Sequence, residues 1–376
     1  MTGKRADGEG SIRRRRDGGW EARLSLPEGS RKSVYGKTRD EAVRRLREAQ
    51  RARDQGLPFA PAALTVRQWC LRWVETAASR VRPSTAARYR QLVERQVVPT
   101  WGRIRLSQLT PAEVERGLEM LLKTGLSPRT VGHVRAVLRT SLNDAQREGL
   151  LARNVATLAK APRVPREVPK VLDPSEVGAV VAAMPDDGLR RLVIVAVHTG
   201  LRQGELLGLR WSDVNLEVHE LHVTQALQRV AGRYELVDVK SSTSRRTIPL
   251  TAAAVSTLED QRQWQMEARL AAGGRWHELI PGLVFTTDRG HPVNGPSLTH
   301  RFEDALQATG LPVIRWHHLR HAYAGLALGS GSDLATVSGL LGHSSVALTA
   351  STYAGIMPSL KRQAADRLGD LLKVPG

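Results

Sequence analysis

The chain has 376 residues, with 56 Lys or Arg against 37 Asp or Glu, which gives a formal charge of +19 with neutral histidine. At roughly 100–200 residues per domain, this length allows two to four domains, and a hydrophobic fraction of 41% argues against wholesale disorder. The most apolar stretch, 192–197, is far shorter than the ~20 residues of a membrane helix, and the residues after Met1 are polar. We therefore expect a cytoplasmic protein. The single cysteine excludes an intrachain disulfide and a cysteine-rich zinc module.

The positive charge is concentrated in the N-terminal part of the chain. Residues 1–60 have a net charge of +7, residues 61–165 have +11 and residues 166–376 have +1. A polyanion such as double-stranded DNA would therefore bind first to the N-terminal 165 residues, with a strong dependence on salt. The alternative is a solvated basic surface without a nucleic-acid partner.

The first sixty residues show the pattern of a small sheet. Apolar and polar side chains alternate in Trp20-Glu21-Ala22-Arg23-Leu24, and Gly-containing turns lie on either side. Thr38 and Glu41 then form a capping box, which predicts one helix after a three-stranded sheet. We expect this unit, 1–60, to place a sheet edge or face in a DNA groove, although an exposed basic hairpin would have the same pattern. The candidate DNA-binding side chains are Arg13, Arg14, Arg15, Arg16, Arg23, Arg31 and Lys32.

After an Ala- and Pro-containing linker, residues 63–162 have a helical pattern. Thr110-Pro111-Ala112-Glu113 combines an N-cap, a proline at the first helical position and a capping box, and Ser127-Pro128 marks another helix start. Paired carboxylates and metal-ligand spacings do not stand out in this segment. We therefore expect a helical clamp on DNA rather than a catalytic domain. Its candidate DNA contacts are Arg129, Arg135 and Arg139.

A proline-containing linker, 160–170, leads to a third domain, 170–376. A capped helix start at 173–176 and a buried helix at 189–198 are predicted here, with further helices toward the end. The runs 221–227, 233–239 and 245–250 predict strands. The predicted fold class is mainly α with small antiparallel β-sheets (α+β). An apolar stripe at helical spacing after Pro358 could dock on a neighbouring subunit or on its own chain.

Five short segments of the third domain carry side chains that suit a phosphodiester substrate. Arg202 follows a glycine turn at a helix start, where a guanidinium can face an anion. His317 and Arg320 are three residues apart and share a helical face. In chain order the candidate catalytic residues are Arg202, Lys240, His317, Arg320, His343 and Tyr353.

The order Arg, Lys, His-x-x-Arg, Leu-Gly-His, Tyr in these contexts resembles that of the tyrosine recombinases of the phage-integrase family. The resemblance extends to the whole chain, because integrases of this build have an arm-type DNA-binding domain, a helical core-binding (SAM-like) domain and a catalytic domain in this order. It implies a site-specific recombinase that integrates or excises a mobile element such as a prophage through a Holliday junction. The implied partners are core and arm sites on double-stranded DNA, a homotetramer, a directionality factor and a host DNA-bending protein.

The resemblance also implies how the phosphate is attacked. Tyr353 would form a 3′-phosphotyrosine and release a 5′-hydroxyl, so that rejoining needs neither ATP nor a metal cofactor. Arg202 and Arg320 would hold the extra negative charge of the transition state with paired donors, and His343 would donate a further hydrogen bond to the phosphate.

Two proton transfers complete the implied reaction. His317 would accept the proton of the tyrosine, and Lys240 would protonate the leaving 5′-oxygen. Neither step requires a bound cofactor.

Several alternatives stay open. His317, His318 and His321 could bind a metal ion on one helix, although an acidic ligand is not near in sequence, and His318 stands where the family often has Asp. Arg245 and Arg246 could contact DNA or be solvated hairpin charges. A resolvase- or topoisomerase-like relative is the alternative enzyme, and a catalytically silent DNA-binding regulator is the alternative outside enzymes.

Overall fold

The computed structural model describes residues 11–25, 31–54, 64–164, 172–230, 232–239 and 244–353, with five single positions beyond Tyr353. The chain separates into two compact units, residues 1–165 and 166–376. The predicted sheet and the predicted helical segment both fall in the first unit, where each has its own apolar core. Within the described ranges, no helix is long and apolar enough to span a bilayer.

The N-terminal segment forms the predicted sheet and helix. Strands β1 (Ser11–Arg14), β2 (Trp20–Ser25) and β3 (Arg31–Gly36) are antiparallel neighbours in chain order, and helix α1 (Arg39–Asp54) follows them. Alternate residues of β2 pack on α1, so the polar residues of β2 lie on the opposite face. The buried apolar residues of this small core are Ala22, Leu24, Ala42, Leu46 and Ala49.

Residues 64–164 form helices, in agreement with the helix starts and stops predicted from the sequence. The helices are α2 (Val66–Ala78), α3 (Pro83–Leu92), α4 (Val98–Trp101), α5 (Pro111–Lys123), α6 (Pro128–Arg147) and α7 (Val155–Leu158), with a π-helical turn at Val93–Val97 and a 3-10 turn at Leu106–Gln108. The capping box of Thr110 and Glu113 is formed, and Ser127 caps α6. Gly125 and Gly149 follow α5 and α6 with positive φ, which favours glycine.

Three buried tryptophans form the centre of this helical core. Trp69, Trp73 and Trp101 are almost fully buried among the Val and Leu residues of α5 and α6. Their indole N–H groups donate to Ser141 O, Asp144 Oδ2 and Glu113 O at 3.1, 2.8 and 2.9 Å respectively. The large aromatic surface is therefore buried without leaving an indole N–H unsatisfied.

The second unit is mainly helical around two small sheets. Its helices are α8 (Pro174–Ala182), α9 (Leu189–Thr199), α10 (Gln203–Leu207), α11 (Ala252–Ala272), α12 (Gly295–Ala308), α13 (His317–Gly329), α14 (Leu334–Leu341) and α15 (Val346–Thr352), with 3-10 turns at Trp211–Asp213 and Gly273–Arg275. The strands are β4 (Val214–Asn215), β5 (Glu220–Val223), β6 (Gln225–Val230), β7 (Arg233–Asp238) and β8 (Arg246–Pro249). The predicted class, mainly α with small antiparallel sheets, is confirmed.

One predicted strand is divided in two. We predicted a continuous strand over 221–227, but β5 ends at Val223 and β6 begins at Gln225. The two halves pair with different partners, β5 with β4 and β8, and β6 with β7. Thr224 lies at the junction, where its hydroxyl donates to Asp213 Oδ1 at 3.2 Å. A change of partner of this kind leaves no trace in the alternation of side chains.

Helix α9 is the centre of the second unit, because both α11 and α13 pack against it. A smaller apolar cluster lies where α13, α14 and α15 meet, and it includes Leu328, Leu341 and Tyr353. Tyr353 is thus placed by packing in the same part of the fold as α13. The apolar stripe predicted after Pro358 lies outside the described residues, except for Leu372, which is exposed.

Two glycines of the helical segment provide a matched stability test. A Cβ at Gly117 in α5 would lie 2.3 Å from the Trp101 ring, whereas a Cβ at Gly132 in α6 would meet nothing within 4 Å. We expect Gly117→Ala to lower the free energy of unfolding by about 1–3 kcal/mol through overpacking. Gly132→Ala should instead raise it by about 0.5–1 kcal/mol through helix propensity. Calorimetric melting of the full chain measures both, and equal effects of the two substitutions would contradict the packing described.

Candidate active site

Gly200 sets the position of the first candidate catalytic residue. It ends α9 in the left-handed region at φ 62°, and a Cβ there would lie 2.4 Å from the ring of Tyr323. Both the conformation and the close approach of the ring require glycine. The turn makes Arg202 the N-cap residue of α10, as the sequence pattern predicts.

A buried carboxylate holds Arg202 in place. Nη1 of Arg202 donates to Oε1 of Glu205 at 2.7 Å, and its Nη2 donates to the carbonyl oxygen of Gly342 at 3.0 Å. Oε2 of Glu205 accepts from Nη2 of Arg246 at 2.8 Å. Burial acts to raise the pKa of Glu205, but the hydrogen bonds and charges of Arg246 and Arg202 outweigh it and hold the pKa below its usual value. Glu205 is therefore ionised at neutral pH.

Arg246 lies inside the protein rather than on the DNA-facing or solvated surface that we expected. Only 6% of its side chain is exposed. Besides Glu205, its guanidinium donates to the carbonyl oxygens of Leu340 and Ser244, at 2.5 and 3.0 Å. Arg246 thus connects β8 to α10 and to the C-terminal end of α14. Its neighbour Arg245 is exposed and pairs with Asp238 at 3.2 Å.

Arg320 is the most buried of the candidate phosphate-binding residues. It is 3% exposed, and it donates from Nη1 to Gly200 O at 2.7 Å and from Nη2 to Leu341 O. Desolvation and the charge of Arg202 lower the pKa of Arg320 to about 9, which leaves it charged at neutral pH. A bound anion would relieve this unfavourable environment.

His343 follows a second left-handed glycine, Gly342 at φ 63°. His343 lies in the segment between α14 and α15. Its Nδ1 is 2.8 Å from the hydroxyl of Thr349 in α15, and this hydrogen bond orients the ring. Desolvation, with the charges of Arg320 and Arg202, lowers the pKa of His343 to about 4. The imidazole is therefore neutral at pH 7 in the free protein.

Tyr353 directly follows α15 and is 1% exposed. Its hydroxyl is 2.9 Å from Nδ1 of His321. Burial raises the pKa of Tyr353 to about 12, although the charge of Arg320 acts to lower it. The phenol is thus protonated at neutral pH and donates the hydrogen bond to His321.

The hydroxyl of Tyr353 is bonded to His321 rather than to His317, the residue that we expected to accept its proton. The rings of His317 and His321 meet edge to face with centroids 4.8 Å apart, because the two residues are one turn apart on α13. Desolvation, with Arg320 and Arg202 nearby, lowers the pKa of His317. His321 was a candidate only as a metal ligand. Its i+4 spacing from His317 puts the two rings on one face of α13, but the contact with Tyr353 is visible only in the fold.

Comparisons with known proteins identify the family of this chain. The model of the Phage integrase family matches residues 170–358, and that of the phage integrase N-terminal SAM-like domain matches residues 65–121. The chain belongs to the phage integrase family. It is 30% identical over 360 residues to a tyrosine recombinase XerC-like protein of Caldanaerobacter subterraneus subsp. tengcongensis, which covers 91% of this chain and 92% of that relative.

A second relative agrees with this membership, and a solved structure shares the fold. An integrase of Streptomyces ambofaciens is 30% identical over 375 residues, with 94% of each chain covered. The Tn1549 transposon integrase solved in complex with transposon right end DNA has the same fold, with a TM-score of 0.69 and 19% identity over 81% of this chain and 100% of that one. As a family member, the chain is a tyrosine recombinase, a site-specific enzyme that cleaves and rejoins DNA.

The remaining residues predicted for this tyrosine recombinase lie in different settings. Lys240 falls outside the described residues, as do the side chains of Arg31 and Lys32. Arg129 and Arg139 are exposed on α6, whereas Arg135 is bound to the carbonyl oxygen of Ala159 through Nε and Nη2, at 3.0 and 2.6 Å. The side chains exposed on or next to β1 are Arg13, Arg14, Arg15 and Arg16.

A buried carboxylate also orders the polar face of the N-terminal sheet. Glu21 is 4% exposed and accepts hydrogen bonds from Ser33, Arg23 and Arg13, at 2.7, 2.9 and 2.6 Å. The hydrogen bonds from Ser33 and Arg23 lower the pKa of Glu21 to about 2. Two of the predicted DNA-binding arginines are therefore held in one array on the face opposite α1.

Removing Arg246 tests the buried network of the catalytic unit. We expect Arg246→Ala to lower the free energy of unfolding by about 3 kcal/mol, because the carboxylate of Glu205 stays buried with one charged partner fewer. Without Arg246, burial should raise the pKa of Glu205 above its value in the unfolded chain. Protonation would then stabilise the fold, so the deficit of the variant should shrink as the pH falls from 7 to 4. Urea unfolding at several pH values measures this.

Arg245→Ala is the matched control for that experiment. Because Arg245 and Asp238 are both largely exposed, its loss should cost less than about 1 kcal/mol at any of these pH values. A deficit of Arg246→Ala that is equally small, or that grows as the pH falls, would contradict the network.

Proposed function

We propose that this tyrosine recombinase integrates and excises a mobile genetic element such as a prophage, with Tyr353 as the nucleophile. The observation that carries the proposal is the buried hydroxyl of Tyr353 beside Arg320, within the fold of one chain. The relatives described as a tyrosine recombinase XerC-like protein and as an integrase support the same reaction. The attack would leave a 3′-phosphotyrosine and a free 5′-hydroxyl, which can attack in turn to rejoin the strand.

The charges of the site support a phosphodiester as its ligand. The guanidinium groups of Arg202, Arg246 and Arg320 interact with Glu205, whose single negative charge offsets only one of them. A phosphate would neutralise a second positive charge, and the pentavalent transition state, with one more negative charge, would neutralise the third. Arg202 and Arg320 would contact the phosphate, whereas Arg246 would position Arg202 through Glu205.

His343 and Lys240 would complete the phosphate site. Oriented by Thr349, the imidazole of His343 can present its Nε2–H to a phosphate oxygen. We retain Lys240 as the proton donor to the leaving 5′-oxygen, from its place in the sequence motif. We propose no metal and no nucleotide cofactor, because the covalent intermediate keeps the energy of the phosphodiester bond.

The number of DNA strands that are cut determines the proposed number of subunits. Recombination between two duplexes cuts and rejoins four strands, and each chain offers one Tyr353, so we propose a tetramer that works through a Holliday junction. The segments 63–162 and 170–376 would hold the core sites, and residues 1–60 would bind separate arm sites. A directionality factor and a host DNA-bending protein would choose between integration and excision. We propose that these steps take place on DNA in the cytoplasm.

The first test of this function is covalent trapping. With a nicked suicide duplex that carries the attachment core, the wild-type protein should form a DNA-linked band in a denaturing gel. Tyr353→Phe should form none, because it lacks the attacking oxygen.

The control for covalent trapping is Tyr323→Phe, which keeps the ring that packs on Gly200 and should still form the band. A band that persists in Tyr353→Phe would remove Tyr353 as the nucleophile. Loss of the wild-type band in EDTA would contradict a metal-free reaction.

The arm role of the N-terminal segment has a separate test. Deleting residues 1–60 should leave cleavage of core-site DNA unchanged, because the proposed catalytic groups all lie beyond Gly200, while integration into a full attachment site should be lost. Gel assays of cleavage and a plasmid integration assay measure the two activities. Normal integration by the shortened chain would contradict an arm-binding role and favour a simpler resolvase-like enzyme.

A further inference from the structure

We propose that His321, rather than His317, receives the proton of Tyr353 when the hydroxyl attacks the phosphate. The inference rests on the proposed role of Tyr353 as the nucleophile. It assigns the role of proton acceptor to the residue that already contacts the Tyr353 hydroxyl in the free protein.

The geometry gives His321 the direct contact. The Tyr353 hydroxyl and His321 Nδ1 are 2.9 Å apart, within the reach required of a general base. Because the phenol is protonated, the hydroxyl donates and Nδ1 accepts, which places the imidazole proton on Nε2. The ring of His317 meets that of His321 edge to face, with centroids 4.8 Å apart. Among the described residues, the hydrogen-bond partner of the hydroxyl is therefore His321.

Burial and the groups around His321 make it a weak base in the free protein. His317, His318 and Arg320 face it from its own helix, and His343 and Tyr353 face it from the segments around α15. Burial and these neighbours lower the pKa of His321 to about 4, so it is neutral and a weak base at pH 7.

A phosphodiester in the site would oppose this effect. Its negative charge would offset the charge of Arg320, and the additional charge of the transition state would favour an imidazolium next to it. The basicity of His321 would thus rise only when a phosphate is bound. The same substrate that is attacked would therefore switch on the acceptor.

The proposed step balances in atoms and charges. The bond between Tyr353 Oη and phosphorus forms, the bond between phosphorus and O5′ breaks, and the phenol proton moves to Nδ1 of His321. The leaving O5′ takes a proton from a separate donor, for which Lys240 is proposed. In rejoining, the 5′-hydroxyl returns its proton to that donor and attacks phosphorus. The bond between phosphorus and Tyr353 Oη breaks, and His321 returns its proton to the departing phenolate.

Replacing His321 by asparagine distinguishes two roles of its side chain, the hydrogen bond to the Tyr353 hydroxyl and the acceptance of its proton. The Oδ1 atom of Asn can accept the hydrogen bond of Tyr353, but an amide does not take up a proton at neutral pH. We would measure single-turnover cleavage of the suicide duplex by full-length His321→Asn and His321→Ala between pH 5 and 10. The matched control is His318→Asn on the same helix, since His318 Nδ1 accepts from the backbone N–H of Arg315 instead. Equal affinity for the duplex shows that the variants are folded.

We expect both His321 variants to cleave about 10²–10⁴-fold more slowly than the wild type at pH 7. The wild-type rate should level off above the pKa of His321 in the DNA complex. The rates of the variants should keep rising about tenfold per pH unit, because only the phenolate fraction of Tyr353 reacts in them. His318→Asn should keep the wild-type plateau. The loss of a neighbour that lowers the pKa of His321 should only move the start of that plateau to higher pH.

Three results would overturn the assignment. A wild-type rate in His321→Asn would reduce His321 to holding the hydroxyl. Slow cleavage with the wild-type pH profile would make its role structural. A rising profile in His317→Asn but not in His321→Asn would return the proton to His317. In each case a covalent band that depends on Tyr353 would leave the proposed function intact.

A substrate with sulfur in place of the bridging 5′-oxygen distinguishes the acceptor from the proton donor. Because a thiolate leaves without being protonated, this substrate should restore cleavage to a variant that lacks the donor. The defect of His321→Asn should persist on it. Recovery to the wild-type rate would show that His321 acts on the leaving group and would refute the proposal.

Discussion

Glu205 brings two guanidinium groups to one point in the interior of the catalytic unit. Through Arg202 it reaches the turn after α9, and through Arg246 it reaches β8 and the end of α14. An ion pair that is removed from water is sensitive to distance, so three separate segments are kept in register by one carboxylate. The carbonyl oxygen of Gly342, directly before His343, is part of the same arrangement because it accepts from Arg202.

Burial has a chemical effect on this arrangement in the free protein. Burial lowers the pKa of the Arg320 guanidinium and raises the pKa of the Tyr353 phenol. The proposed nucleophile therefore stays protonated in the free protein, and a protonated phenol is a poor nucleophile toward stray electrophiles. In the proposed reaction, the groups of the site are already in place, and a bound phosphate would change their protonation before the strand is cut.

The sequence predicts the helices and strands better than it predicts the contacts between distant side chains. Caps such as Thr110 and Ser127, the alternation along β2 and the glycine turn before Arg202 are local signals, and each is present in the structure. The inward position of Arg246 could not be predicted, because its partners Glu205 and Leu340 are 41 and 94 residues away. For the same reason the contact of His321 with Tyr353, 32 residues further on, could only come from the fold.

The burial of Tyr353 against α13 of its own chain also bears on how subunits share work. Its hydroxyl, Arg320 and His321 lie together in the fold of one chain, so these three groups of the proposed reaction come from the same subunit. The number of strands that an assembly can cut then equals the number of intact chains in it. Neighbouring subunits would have no need to supply these three groups.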